Sequence, residues 1–103
     1  MTANLNTKFV LFCGVLLSSN DVIRAARMVR KNLNELPSGV SGKNTHMRFV
    51  DYGTEYVLPA KFTLALAGEL AGAGAYETLC ARFSGGTHTE RVLTRLGFDV
   101  LRG

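Results

Sequence analysis

Eight of the twelve basic residues are arginine, and arginine offers a planar fork that fits a phosphate or the O6/N7 edge of guanine, which a lysine ammonium cannot match. Their spacing matters more than their number. His88, Arg91 and Arg95 recur at intervals of three and four, the interval that puts side chains on one face of a helix. Arg24, Arg27 and Lys31 form a similar ridge upstream, on a face other than the apolar one. Lys61 opens a third helical stretch, where its charge opposes the positive end of the helix dipole and costs roughly a few tenths of a kcal/mol until an anion arrives. The chemistry these residues offer is the holding of a polyanion.

Nucleophilic and metal chemistry find less support. His46 and His88 are the only imidazoles in the chain. Neither stands in a context that positions a Ser or Cys nucleophile, and two histidines are too few for a metal site. Paired carboxylates such as Asp51 and Glu55, across a hairpin, could act as acid and base, and nothing around them requires it. No catalytic residue, metal ligand or cofactor is assigned, and the chain is expected not to be an enzyme.

The elements that must carry these side chains fit one small domain of 103 residues, 47% hydrophobic and 19% charged. A formal charge of +4 is modest, because a middle stretch with Lys61 against Asp51, Glu55, Glu69 and Glu77 masks two basic segments on either side. Cys13 and Cys80 make no Cys-x-x-Cys spacing and no disulfide framework, which points to a reducing, cytoplasmic compartment. The apolar run from Phe9 to Leu17 is too short to span a bilayer and lacks a small-residue cleavage site, so neither membrane insertion nor secretion is expected. Whether that run is a strand or a buried helix stays open.

Ser19 or Asn20 is read as the cap of a helix that continues to about Leu36, with Val22, Ala25, Ala26, Val29, Leu33 and Leu36 as its buried stripe. Pro37 ends it. The loop that follows, from Pro37 to Thr45, imitates a phosphate-binding loop, but Pro37 and Asn44 stand where the Walker pattern needs Gly and Ser or Thr, so nucleotide hydrolysis is rejected. His46 to Asp51, a turn at Tyr52-Gly53-Thr54, and Glu55 to Leu58 read as a β-hairpin. Pro59 suits the first turn of an Ala/Leu helix running to about Ala71. Tyr76 to Phe83 reads as a short helix or an ordered loop. Thr87 with Glu90 forms a capping-box pattern at the start of a helix that Gly97 closes, and Phe98 to Leu101 reads as a terminal strand.

Several of these segments form an ordered series: Arg48-Phe49-Val50-Asp51-Tyr52-Gly53, Leu58-Pro59-Ala60-Lys61 opening the Ala/Leu helix, Phe83-Ser84-Gly85-Gly86, Thr89-Glu90, Leu93, and Leu96-Gly97-Phe98. The series resembles the sulfur-binding domain of McrA-like type IV restriction endonucleases, over about residues 20 to 101. That family reads phosphorothioate-modified DNA. The resemblance implies a sulfur pocket at Leu58, Pro59 and Phe62, with Lys61 near the phosphate, and basic residues around it holding backbone and bases. Arg91 and Arg95 are then candidates for base edges, His46 and Arg48 for the flank of the pocket, and Thr87 and His88 for further DNA contacts. Leu58 stands where the family has Tyr, and Ala60 where it has a second Pro, so the aromatic part of the wall is missing. The chain also carries no His-Asn-His nuclease segment, and the resemblance implies that cleavage belongs to a partner nuclease chain.

The expected fold is α/β in the α+β sense, a single small domain with about three helices packed on a short, mainly antiparallel sheet or hairpin. Residues 1–18 are an apolar segment without an assigned structure, and 19–103 a single DNA-reader-like domain. The expected function is sequence-tolerant recognition of double-stranded, phosphorothioate-modified DNA, as part of restriction-modification defence. The alternatives are a binder of unmodified DNA or RNA, or a protein-interaction subunit of a defence complex.

Overall fold

A computed structural model describes residues 8–32, 45–83 and 86–102 of the chain. The apolar run that sequence left open forms a hairpin of β1 (Phe9–Phe12) and β2 (Val15–Ser18), joined by Cys13 and Gly14. Both turn residues have positive φ, 49° and 85°, as a two-residue hairpin turn matched to the twist of its strands requires. The pleat sends Phe12 and Leu17 into the core and leaves Phe9, Leu11 and Leu16 exposed on the other side.

Ser18 ends β2 and caps α1 (Ser19–Lys31). Its hydroxyl accepts from the Asp21 N–H at 3.1 Å, and its own N–H donates to Asp21 Oδ2 at 3.0 Å. The cap is therefore Ser18, one or two residues earlier than expected, because only Ser18 has a carboxylate three residues on to close a capping box. Val22, Ala25, Ala26 and Val29 are buried. The helix closes at Asn32, whose Nδ2 donates to the Met28 carbonyl at 2.9 Å. The expected extension to Leu36 and the phosphate-loop imitation at 37–44 lie outside the described residues.

The second hairpin pairs β3 (Thr45–Asp51) with β4 (Thr54–Pro59) through the Tyr52-Gly53 turn, and β5 (Asp99–Arg102) adds antiparallel to the free edge of β3, giving the order β4-β3-β5. Met47, Phe49 and Leu58 point into the core. Pro59 precedes α2 (Ala60–Leu70), which is buried on almost every side from Ala60 to Gly68. It packs against α1, α3, α4 and β3. The Thr63 hydroxyl donates to the Pro59 carbonyl at 2.8 Å, which satisfies a polar side chain with no exposed surface. At Gly68 a Cβ would lie 2.9 Å from both Leu79 Cδ1 and Phe12 Cε2, so only glycine lets the first hairpin and α3 close on this helix.

The short helix α3 (Tyr76–Cys80) starts with its first N–H donating to Glu69 Oε1 at 2.9 Å. α4 (Thr87–Arg95) differs from expectation at its start. Gly86 holds the cap position with no side-chain bond, and Thr87 is the first helical residue, so the Thr87–Glu90 capping box does not form. Glu90 has a partner elsewhere, Arg102 on β5, at 2.7 Å. The helix ends as expected at Leu96 and Gly97, with Gly97 at φ 96° and the Phe98 N–H donating to the Leu93 carbonyl at 3.0 Å.

Among the described residues the chain is thus a compact α+β domain with four helices and two small antiparallel sheets. Phe12 and Leu17 join the same core cluster as Val22, Met47, Leu64 and Leu93. The first hairpin therefore packs as part of this body, and Ser18 couples it directly to α1.

Candidate functional site

The exposed face of α4 is built by elimination. Thr89, Val92 and Leu93 are buried against the core, which turns Thr87, His88, Arg91, Thr94 and Arg95 outward. Thr87, Glu90, Arg91, Thr94 and Arg95 line a shallow, open depression of about 290 Å³ along the helix. The one carboxylate there, Glu90, is held by Arg102. Arg91 and Arg95 have no carboxylate within 4 Å among the described residues.

That freedom separates them from most other arginines. Arg48 projects from the outer face of the three-stranded sheet, where Glu55 Oε2 lies 3.4 Å from its Nε and Asp99 Oδ2 3.6 Å from its Nη1. Both edges of its guanidinium are occupied. Those partners follow from the register, since Arg48 stands opposite Asp99 on β5 while Glu55 lies diagonally across on β4. His46, part-buried on β3, stands opposite Pro59 and Leu101. Among the described residues, no ion pair or side-chain hydrogen bond joins either residue to the α4 face.

Lys61 and His88 share a neighbour, Phe83. The Lys61 ammonium sits 5.6 Å from the centroid of the Phe83 ring, and the His88 ring lies 5.9 Å from that same centroid and 6.2 Å from Phe12. Phe12 meets Phe83 edge-on at 5.1 Å. A cation from α2 and an imidazole from α4 are thus gathered around one part-exposed aromatic ring. Cys80 lies close by: burial pushes its thiol up, the Lys61 cation pulls it down and Glu77 pushes it up again.

The sulfur wall implied by the resemblance falls elsewhere. Leu58 is fully buried, Pro59 is buried, and Phe62 is 7% exposed with its ring edge-on to Tyr76. Leu58 and Phe62 belong to the core cluster, so neither offers an open wall to solvent. Sequence reasoning passed over Phe83 as a contact residue. Its signal was there in the Phe-x-Gly-Gly pattern, but its closeness to Lys61 depends on packing between α2, the first hairpin and α4.

Among the described residues no group of His, Cys, Asp and Glu is placed to hold a metal ion, and no helix is long and apolar enough to cross a membrane. Comparison with protein-family models, with curated proteins and with solved structures finds no match to this chain.

Proposed function

We propose that the chain is a DNA-binding module that meets the duplex backbone with α4 and Lys61. The observation that carries this reading is the pair Arg91 and Arg95, which have no carboxylate partner among the described residues and lie on an exposed helix face whose one acid, Glu90, is engaged by Arg102. A free guanidinium gives up no protein partner when it takes a phosphate, whereas Arg48 would first have to leave two carboxylates. Two phosphates neutralised release counterions, so binding weakens steeply with salt.

Within that reading, phosphorothioate recognition falls to the Phe83 surface between Lys61 and His88. Sulfur in place of a non-bridging oxygen is larger, more polarizable and more weakly hydrated, so an aromatic wall gains dispersion contact from it and strips water from an ordinary oxygen at a cost. The neighbouring ammonium supplies the charge that either diester requires. The module acts as a reader, and cleavage is assigned to a partner nuclease.

The test is a titration of matched duplexes with and without a phosphorothioate. Tighter binding of the modified duplex supports the sulfur reading, and equal affinity removes it while leaving DNA binding intact. Replacing Arg91 and Arg95 together with Ala is expected to reduce the slope of log K against log salt by about 1.8, from roughly 0.9 per phosphate contact. An unchanged slope removes α4 as the DNA face.

A second reading, a protein-interaction subunit, draws on the outer side of the first hairpin. There Leu11 stands opposite Leu16, with Phe9 beside them, all exposed. Cross-strand apolar pairs facing water are the kind of surface that associates. If it self-associates, Leu11→Thr with Leu16→Thr lowers the mass measured by light scattering at high concentration, and a monomeric wild type removes that form of the reading.

A further inference from the structure

Asp51, at the end of β3, is 4% exposed and lies between two arginines of α1. Arg27 Nε stands 3.2 Å from its Oδ1 and Arg30 Nε 3.1 Å from its Oδ2. Each guanidinium also lies over a tyrosine ring, Arg27 at 5.6 Å from the centroid of Tyr52 and Arg30 at 5.3 Å from that of Tyr56. The Arg30–Tyr56 half is part-buried. The Arg27–Tyr52 half is open, with 47% of the Arg27 side chain and 89% of Tyr52 in solvent.

Tyr52 occupies the first position of the turn with φ 50°, and Gly53 follows with φ 82°. Both positions of such a turn have positive φ, a conformation that Asn, Asp or Gly takes at low cost and a bulky side chain does not. The ring therefore pays for its backbone without being buried in return. What it has instead is the Arg27 guanidinium, 5.6 Å from its centroid. The Asp51 contact uses Nε of Arg27, and no described residue accepts from its Nη groups. Arg24 is exposed one turn before Arg27 and Lys31 one turn after, so exposed basic side chains recur along α1 on either side of the one that meets the ring. Asp21 approaches Arg24 only at 3.8 Å, on the surface.

We propose that Tyr52 and the α1 face bearing Arg24, Arg27 and Lys31 form a second nucleic-acid contact, which takes an unpaired base of a single strand on the tyrosine ring and its phosphates along the helix. Flat aromatic rings beside a basic track bind single strands because every base has a π-face, whereas a base in a duplex has both faces covered by its neighbours. The contact is separate from the α4 face: α1 packs on α2, β2 and β4, and α4 on α2, β1 and β5. It stands or falls independently of the duplex reading.

The chain has no Trp and three Tyr, of which Tyr52 is exposed and Tyr56 and Tyr76 are part-buried, so intrinsic tyrosine emission reports on this ring. Titration with a short oligothymidylate is expected to quench that emission. Tyr52→Asn suits the turn and keeps the fold, and is expected to bind the oligonucleotide roughly tenfold more weakly with the quench largely lost. In the Arg91→Ala, Arg95→Ala double variant the oligothymidylate should still quench the tyrosine emission at saturation, because the ring it stacks on is untouched. Wild-type affinity in Tyr52→Asn, absence of quenching in the wild type, or a single-strand affinity that falls only in the α4 variant would each overturn the proposal.

Discussion

Asp51→Ala is expected to lower folding stability by about 3 kcal/mol, read as a fall in the urea midpoint at unchanged slope. Exposed ion pairs seldom contribute more than about 1 kcal/mol, so the size of this effect depends on burial. Asp51 is nearly inaccessible and carries two cationic partners; removing it leaves two guanidinium groups facing each other without their shared anion. Losing one partner of a buried pair typically costs about 3–5 kcal/mol. The lower end applies because the Arg27 side chain is 47% exposed and that of Arg30 is 25% exposed, so both can recover some hydration.

The two contacts are not alike. Arg27 Nε donates a hydrogen bond to Oδ1. Arg30 Nε and Oδ2 approach to 3.1 Å but make no hydrogen bond, so that contact is ionic only. Asp51→Asn is therefore expected to cost nearly as much as Ala: with its oxygen toward Arg27, its amide NH2 faces Arg30, donor against donor. Combining Asp51→Ala with Arg30→Met should cost less than the sum of the two single changes, since the second removes the charge stranded by the first. A loss below about 1 kcal/mol in Asp51→Ala, or strict additivity in the pair, would overturn this account of the cluster.

Local pattern made some of this legible. The β3–β4 hairpin could be read because its residues alternate and Tyr52-Gly53 marks the turn. The first hairpin could not, because both of its faces are apolar: Val10, Phe12 and Leu17 pack inward or partly so, and Phe9, Leu11 and Leu16 face water. With no alternation, a strand and a buried helix look the same. The Thr87–Glu90 pattern misled for a related reason, since Glu90 has a stronger long-range partner in Arg102 than in the start of its own helix. A capping box is a local signal, and a cation on β5 twelve residues away lies outside it.

The candidate site divides along the same line. Helical spacing alone puts Arg91 and Arg95 on one face. Which arginines are free is a property of the sheet, because the order β4-β3-β5 brings Glu55 and Asp99 to Arg48 and the Glu90–Arg102 pair clears α4 of its acid. The net charge of +4 carries none of this. It sums paired and unpaired cations alike, and only the unpaired ones can take a phosphate without first breaking a bond. Leu58 and Phe62 show the converse case: their order along the chain fits the family's sulfur wall, while their burial commits them to the core.

Phe12 links that core to the proposed DNA face, and Phe12→Ala is expected to cost about 3–5 kcal/mol, the usual range for truncating a buried aromatic ring. The ring is 2% exposed. It meets the Phe83 ring at 5.1 Å, lies 6.2 Å from the His88 ring at an interplanar angle of 28°, and leaves Gly68 no room for a Cβ. A cavity at this point is bordered by α2 on one side, and α2 is too closely packed along its length to move in and fill it. The relaxation open to the chain is for Phe83 and His88 to sink inward, which carries the aromatic surface away from Lys61. Stability and DNA binding should therefore fall together in Phe12→Ala. Phe12→Leu separates them: it keeps most of the bulk and should lose less stability, but it removes the ring beside His88. The His88 ring-proton shifts in the NMR spectrum should then move toward their values in an unstructured peptide. If Phe12→Ala costs less than about 1 kcal/mol, or if the His88 shifts are unchanged in Phe12→Leu, the aromatic cluster is not what holds Lys61 and His88 together.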